Sequence, residues 1–339
     1  MVVEKVDEIN NYTTIETSYG SVFASQRALE LLTGLDSVIF DMDGVLVDVN
    51  DSFKQCDRMA VELYFSTMGW SGADRLLDVC HIDALKLAGG FNSDWDIGEA
   101  VVKFYLFKNC LYDTKDGAML VKFSPSLQEY VAEIAARGGG LDAVDELLSK
   151  RCNAAEWDSI VSHFDRARAE RLSMEVYAGG LCKKVYGFQP RTYKGTGLIY
   201  QDKPLLNPDF TPGSLKLAVA TGRTRGEVSM VVKRMEWEHL FPTHCIIAED
   251  DGPKKPDPGI LKLAAERLGA VRSMYIGDTP DDLLTARRYD PSGESMLACS
   301  VLTGLSSAGL AERFASIGSD MIADNVNAAL AAIRATSGE

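Results

Sequence analysis

Asp41-Met42-Asp43-Gly44-Val45-Leu46-Val47-Asp48 places two carboxylates at i and i+2, directly after an apolar run of strand length, Ser37–Phe40. In extended backbone such side chains share a face, and open α/β sheets bind ligands beyond the carboxyl ends of their strands. Two acids in this position can divide labour. One attacks an electrophile covalently, and the other moves a proton to and from the leaving group. Gly44 lets the chain turn sharply away. Taken alone, D-x-D reads equally well as a pair of turn acids.

Three further stretches alter that reading. Thr221-Gly222-Arg223 follows a second apolar run, Leu215–Ala220, and joins a hydroxyl, a glycine that permits close approach and the amides of a helix start. That combination makes a phosphate-binding corner. Lys254-Lys255-Pro256-Asp257-Pro258 sets two cations just before a helix whose first turn is marked by proline. Gly277-Asp278-Thr279-Pro280-Asp281-Asp282 follows Ser273–Ile276 and clusters hard oxygen ligands suited to Mg²⁺, although acids in a first helical turn are also favoured by the helix dipole. All four stretches fall at the ends of successive expected strands, and so on one rim of one sheet. Asp41, Asp43, Asp278 and Asp282 crowded there cannot all ionise cheaply without a divalent cation. Mg²⁺ and Lys255 would turn such a rim attractive to a phosphate dianion.

DMDGVLVD, VATGR, KKPDP and IGDTPDD, in that order, resemble the four motifs of the haloacid dehalogenase-like hydrolase superfamily, over about half of the chain. The resemblance implies that Asp41 is a nucleophile forming an aspartyl-phosphate. Asp43 becomes the general acid and base, and a Mg²⁺ ligand through its backbone carbonyl. Thr221, with Gly222 and Arg223, binds the phosphoryl group; Lys255, which directly precedes Pro256, pairs with Asp41 and the phosphate. Asp278 and Asp282 join Asp41 as Mg²⁺ ligands, directly or through water. The activity implied is that of a Mg²⁺-dependent phosphatase acting on a small phosphorylated metabolite, such as a sugar phosphate or a phosphoglycolate-like acid. A phosphomutase of the same superfamily would use the same motifs. Dehalogenases do not need the second acid, here Asp43, and phosphonatases usually lack it. From another class, the chain would be a binding or regulatory protein on a retired hydrolase core.

The elements that must hold these residues are also visible. Further strand-length runs occur at His244–Ala248 and Leu297–Leu302, and helical spacing at Glu227–Trp237, Pro258–Leu268, Pro280–Arg288 and Ser306–Ile317. Alternation of this kind predicts βαβ units. The first strand is nevertheless separated from the second by everything between Asp48 and Thr211, against the roughly 12 residues that a crossover needs. That interval has helical spacing at Ser52–Met68, Ile97–Lys108, Ser126–Ala136, Leu141–Ser149 and Ala154–Tyr177, with a glycine break at Gly138-Gly139-Gly140. The expected architecture is α/β: a Rossmann-like parallel sheet core over 36–48 and 211–339, with a large, mainly helical cap inserted at 49–210. Residues 1–35 are expected to pack on the core, with a short helix at Arg27–Leu32.

The insertion resembles the cap of the subfamily that includes phosphoglycolate phosphatases and β-phosphoglucomutases. Its segment Leu85-Lys86-Leu87-Ala88-Gly89-Gly90-Phe91-Asn92-Ser93-Asp94-Trp95-Asp96 resembles a signature of a branch with an enlarged cap. Lys86, Asn92, Arg191, Tyr193 and Lys194 are the candidate substrate readers, and Arg223 and Arg225 candidate grips for a second phosphate.

With 46% hydrophobic and 25% charged residues the composition is that of a globular protein. The net charge of −14 opposes general attraction to nucleic acid or anionic membranes. No run of about 18 apolar residues and no apolar leader near the N-terminus is present, so the expectation is an unanchored cytoplasmic protein, monomeric or homodimeric. Seven scattered cysteines without a C-x-x-C pair read as buried thiols, and the four histidines lack metal-ligand spacing.

Overall fold

Strands form where the apolar runs lie, and also where none was legible. In chain order they are β1 Tyr12–Thr17, β2 Gly20–Ser25, β3 Ser37–Phe40, β4 Val47–Asp48, β5 Lys203–Pro204, β6 Lys216–Ala220, β7 Ile246–Ile247, β8 Ser273–Gly277, β9 Met296–Val301 and β10 Met321–Ala323. The structure, a computed structural model, describes residues 9–91, 93–210, 213 and 215–337. They divide into two compact units: the chain up to Val49 together with the chain from Lys203 onward, and Asn50–Asp202.

In the first unit eight strands form one sheet in the order β1-β2-β10-β9-β8-β3-β6-β7. From β10 to β7 all neighbours run parallel. β3 and β8 are buried along their whole length, which is why they read as unbroken apolar runs rather than as alternating ones. Helices Gly259–Leu268 and Pro280–Tyr289 cover one face, setting Ile260, Leu261, Ala264, Leu283 and Ala286 on Ile39, Ala218, Tyr275 and Ala298. Phe40 alternates to the opposite face and meets Phe241 edge to face, with ring centroids 5.9 Å apart.

The N-terminal residues add more than the expected short helix. That helix is present at Gln26–Leu31, but β1 and β2 before it form an antiparallel hairpin that extends the sheet past β10. The expected strand at His244–Ala248 shortens to Ile246–Ile247, because Thr243–Cys245 turns as a 3-10 helix.

In the second unit helix Asp94–Tyr112 is buried on nearly all sides. Phe104 stacks on Tyr130 with ring centroids 4.4 Å apart, and Phe65 meets Trp70 at a tilt with centroids 4.3 Å apart. Around it pack Phe53–Ser66, Leu127–Ala135, Gly140–Arg151 and two helices where Ala154–Tyr177 is expected to be one. The break falls at Asp165, whose carboxylate accepts from the Arg168 amide at 3.0 Å and caps Arg166–Ala178; aspartate favours this cap over a helix interior. Helix Val79–Ala88, unmarked in the sequence, carries Lys86. The glycines after it meet the glycine break directly: a Cβ at Gly90 would lie 2.8 Å from Gly140 Cα. Gly89-Gly90 and Gly138-Gly139-Gly140 are therefore two backbones in close approach.

Candidate active site

Register brings the motif residues level. Phe40 pairs with Val219 on one side and with Ile276 on the other, so Asp41, Thr221 and Asp278 emerge close to one another at one sheet edge. The Asp41 amide continues the ladder by donating to Ile276 O at 2.8 Å. The chain then folds back on itself: Met42 O accepts from the Leu46 and Val47 amides at 2.9 Å, and Gly44, with φ of +73°, makes the reversal. After β6 the Thr221 amide donates to Ile247 O at 3.0 Å, and the Thr221 hydroxyl accepts from the Arg223 amide at 3.2 Å. After β8, Thr279 caps helix Pro280–Tyr289 in a reciprocal box with Asp282.

Lys255 joins two of these acids. Its ammonium, with the side chain 1% exposed, lies 2.9 Å from Asp41 Oδ1 and 2.7 Å from Asp282 Oδ1. Lys254 is exposed and pairs with Glu249. Asp282 is held on both oxygens. Oδ1 also accepts from the Tyr275 hydroxyl at 2.7 Å, and Oδ2 accepts from the Thr279 amide and hydroxyl at 3.0 and 2.7 Å. Burial alone would lower Lys255, but Asp282 and Asp41 carry its pKa above the usual lysine range. Asp282, which burial would raise, is held below its ordinary value chiefly by Lys255. Asp41 goes the other way: burial pushes it up to about 7 against the pull of Lys255, with Asp282 and Asp43 adding to the rise. One lysine does not balance this rim.

Asp41, Asp278 and Asp282 each offer an oxygen, the three lying within 4.8 Å of one another. A Cβ at Gly44 or at Gly304 would collide with Asp278 Oδ2, so these two glycines keep space around that carboxylate. Three hard oxygen donors beside such a space fit a divalent cation. Gly304 was not legible as part of the site, and neither was Thr303, whose hydroxyl donates to Gly44 O. Their one signal is Thr-Gly after β9, repeating the Thr-Gly after β6. Tyr275 gave none, because a tyrosine within a buried strand reads as core.

The sequence profile of the haloacid dehalogenase-like hydrolases matches residues 212–290, and a HAD-hydrolase-like profile matches residues 253–329. Over residues 212–329 the chain is thus similar to the haloacid dehalogenase-like hydrolases. The fold is similar to that of Northeast Structural Genomics Consortium target ZR25, with a TM-score of 0.54 at 18% identity over 86% of this chain and 97% of that one. It is also similar to phosphatase Tt82 from Thermococcus thioreducens, with a TM-score of 0.51 at 21% identity over 83% of this chain and 99% of that one. In sequence the chain is 24% identical over 258 residues to an imidazoleglycerol-phosphate dehydratase of Phytophthora nicotianae. That match takes in 75% of this chain but only 41% of the length of its relative.

Arg223 is buried and pairs with Asp43, whereas Arg225 pairs with Asp251. In the second unit Lys86 pairs with Asp94 at 3.1 Å. Arg191 and Lys194 are exposed, and the Tyr193 hydroxyl donates to Thr196 O at 3.0 Å. The Arg191, Thr192 and Tyr193 amides all donate to the buried Glu175 carboxylate. Asn92 lies outside the described residues. No helix among the described residues is long and apolar enough to cross a membrane.

Proposed function

We propose that this haloacid dehalogenase-like hydrolase is a Mg²⁺-dependent phosphatase of a small phosphorylated metabolite, working through an aspartyl-phosphate on Asp41. The observation that carries this reading is the buried Lys255, bound at once to Asp41 and Asp282 beside the cation-fitting acids. Lys255 would orient Asp41 and hold part of the phosphoryl charge, and the Thr221 hydroxyl would hold another phosphoryl oxygen. An Asp41 oxygen forms a bond to phosphorus as the bond to the leaving oxygen breaks, and the proton on Asp43 passes to that leaving oxygen. Asp43 then takes a proton from water, whose oxygen bonds to phosphorus and frees Asp41. Asp41, Asp278 and Asp282, with the Asp43 carbonyl, would hold Mg²⁺, which would supply neutralisation of carboxylate and phosphoryl charge. The printed name of the Thermococcus relative, a phosphatase, supports this reading, and that of the oomycete relative refers to a small phosphate ester.

The test is phosphate release from p-nitrophenyl phosphate and a panel of phosphorylated metabolites, with Mg²⁺ and with chelator. Release that needs the metal and falls by roughly three orders of magnitude in Asp41→Asn is expected. An Asp41→Asn protein matching the wild type on every substrate would sink the proposal.

A further inference from the structure

Arg223 is 2% exposed, and its guanidinium reaches Asp43: Nε donates to Asp43 Oδ1 at 2.7 Å, and Nη2 lies 2.6 Å from the same oxygen. Its backbone is fixed at both ends. The Arg223 amide donates to the Thr221 hydroxyl at 3.2 Å, and the Arg223 carbonyl accepts from the Glu249 amide at 2.9 Å. The next residue, Thr224, caps helix Arg225–Arg234 in a reciprocal box with Glu227. Two nitrogens of a planar guanidinium anchored in this way restrict where Asp43 Oδ1 can lie, which a lysine ammonium on a flexible stem does less well.

We propose that Arg223 is the positioning residue of the acid and base Asp43, an inference that rests on the phosphatase reading above. Both contacts fall on Oδ1, so Oδ2, which hydrogen-bonds to no described residue, is left as the oxygen that exchanges protons. The Asp43 side chain is 25% exposed against 1% for that of Arg223, so without this anchor the carboxylate is free to turn toward solvent. In phosphoryl transfer the Asp41 to phosphorus bond forms while the bond to the leaving oxygen breaks, and the proton goes from Asp43 Oδ2 to that oxygen. An alkyl ester needs this proton, because its departing alkoxide is strongly basic. A p-nitrophenyl ester does not, because nitrophenolate is a stable anion.

The experiment measures kcat/KM, which reports the phosphorylation step, on p-nitrophenyl phosphate and on the fastest alkyl phosphate of the panel. It compares the wild type with Arg223→Gln, Arg223→Lys and Asp43→Asn, and with the double variant of Arg223→Gln and Asp43→Asn. Arg223→Gln is expected to lose roughly tenfold or more on the alkyl ester beyond its loss on the aryl ester. Arg223→Lys should fall between Arg223→Gln and the wild type, and Arg223→Gln should add almost nothing in the Asp43→Asn background. Equal losses on both esters, as misplacement of Thr221 or a merely structural role would give, overturn the inference and leave the phosphatase reading standing. Fully additive losses in the double variant overturn it too. If Arg223→Gln does not fold, Arg223→Lys carries the same comparison of esters. A wild type that hydrolyses neither ester overturns the phosphatase reading and this inference together.

Discussion

Asp57 is 2% exposed in the helical unit, and its Oδ2 has no hydrogen-bond partner among the described residues. Burial, reinforced by Asp94 and only partly offset by Lys86 and Lys54, holds its carboxyl well above the ordinary range. The folded chain therefore binds this proton more tightly than the unfolded chain does. The stabilisation is complete below the unfolded value of about 4 and drains away as pH rises through the raised folded value. Asp57→Asn removes the ionisable group and should flatten that decline, so that the variant gains on the wild type in melting temperature as pH rises above the unfolded value of about 4. Two melting curves running parallel across that range would contradict it.

The same scale shows what single residues reveal in sequence. Asp41, Thr221 and Asp278 could be read because each stands at the end of an apolar run, Asp278 one glycine beyond it, so that strand polarity alone sends them to one edge. The Arg223 partner could not be read, since Asp43 lies 180 residues away and only the packed sheet joins them. Lys86, a candidate substrate reader, has in Asp94 an ion-pair partner that the sequence did not point to.

Among the elements, the loop after β9 bears most directly on the chemistry. Gly304 does not have the positive φ that only glycine tolerates easily, so alanine would fit its backbone, but the added Cβ would take the place of Asp278 Oδ2. Gly304→Ala should therefore swing that carboxylate aside and weaken Mg²⁺ binding by roughly tenfold, read by titration calorimetry on the free enzyme. Unchanged affinity would mean that Asp278 does not depend on this glycine. The hairpin of β1 and β2 was illegible for a different reason. β1 has only intermediate and exposed positions, built largely from Thr and Glu, so it lacks the apolar run by which the central strands announce themselves. The close approach of Gly89-Gly90 was equally illegible, because its partners Gly139 and Gly140, for which the absent side chains make room, lie some fifty residues on.

For the whole chain, the long interval between the first two parallel strands is closed at its base by the pairing of Asp48 in β4 with Lys203 in β5. Each unit buries its own apolar cluster. Residues from Ala60 to Leu172 enclose one around helix Asp94–Tyr112, and Ile39 to Ala298 build another against the parallel sheet. Because an antiparallel pair can be joined by two residues, residues 49–202 can be replaced by an Asn-Gly turn between the paired Asp48 and Lys203 without stretching β4 or β5. The shortened chain should fold cooperatively, bind Mg²⁺ and still hydrolyse p-nitrophenyl phosphate, because Asp41, Asp43, Thr221, Lys255, Asp278 and Asp282 all belong to the unit that remains. The resemblance of the insertion to a cap assigns substrate choice to it, so kcat/KM across the metabolite panel should flatten toward one common low value. A shortened enzyme that kept the preferences of the full chain would place discrimination in the sheet unit instead, and one that bound Mg²⁺ without hydrolysing the aryl ester would show that the insertion supplies a group the chemistry itself requires.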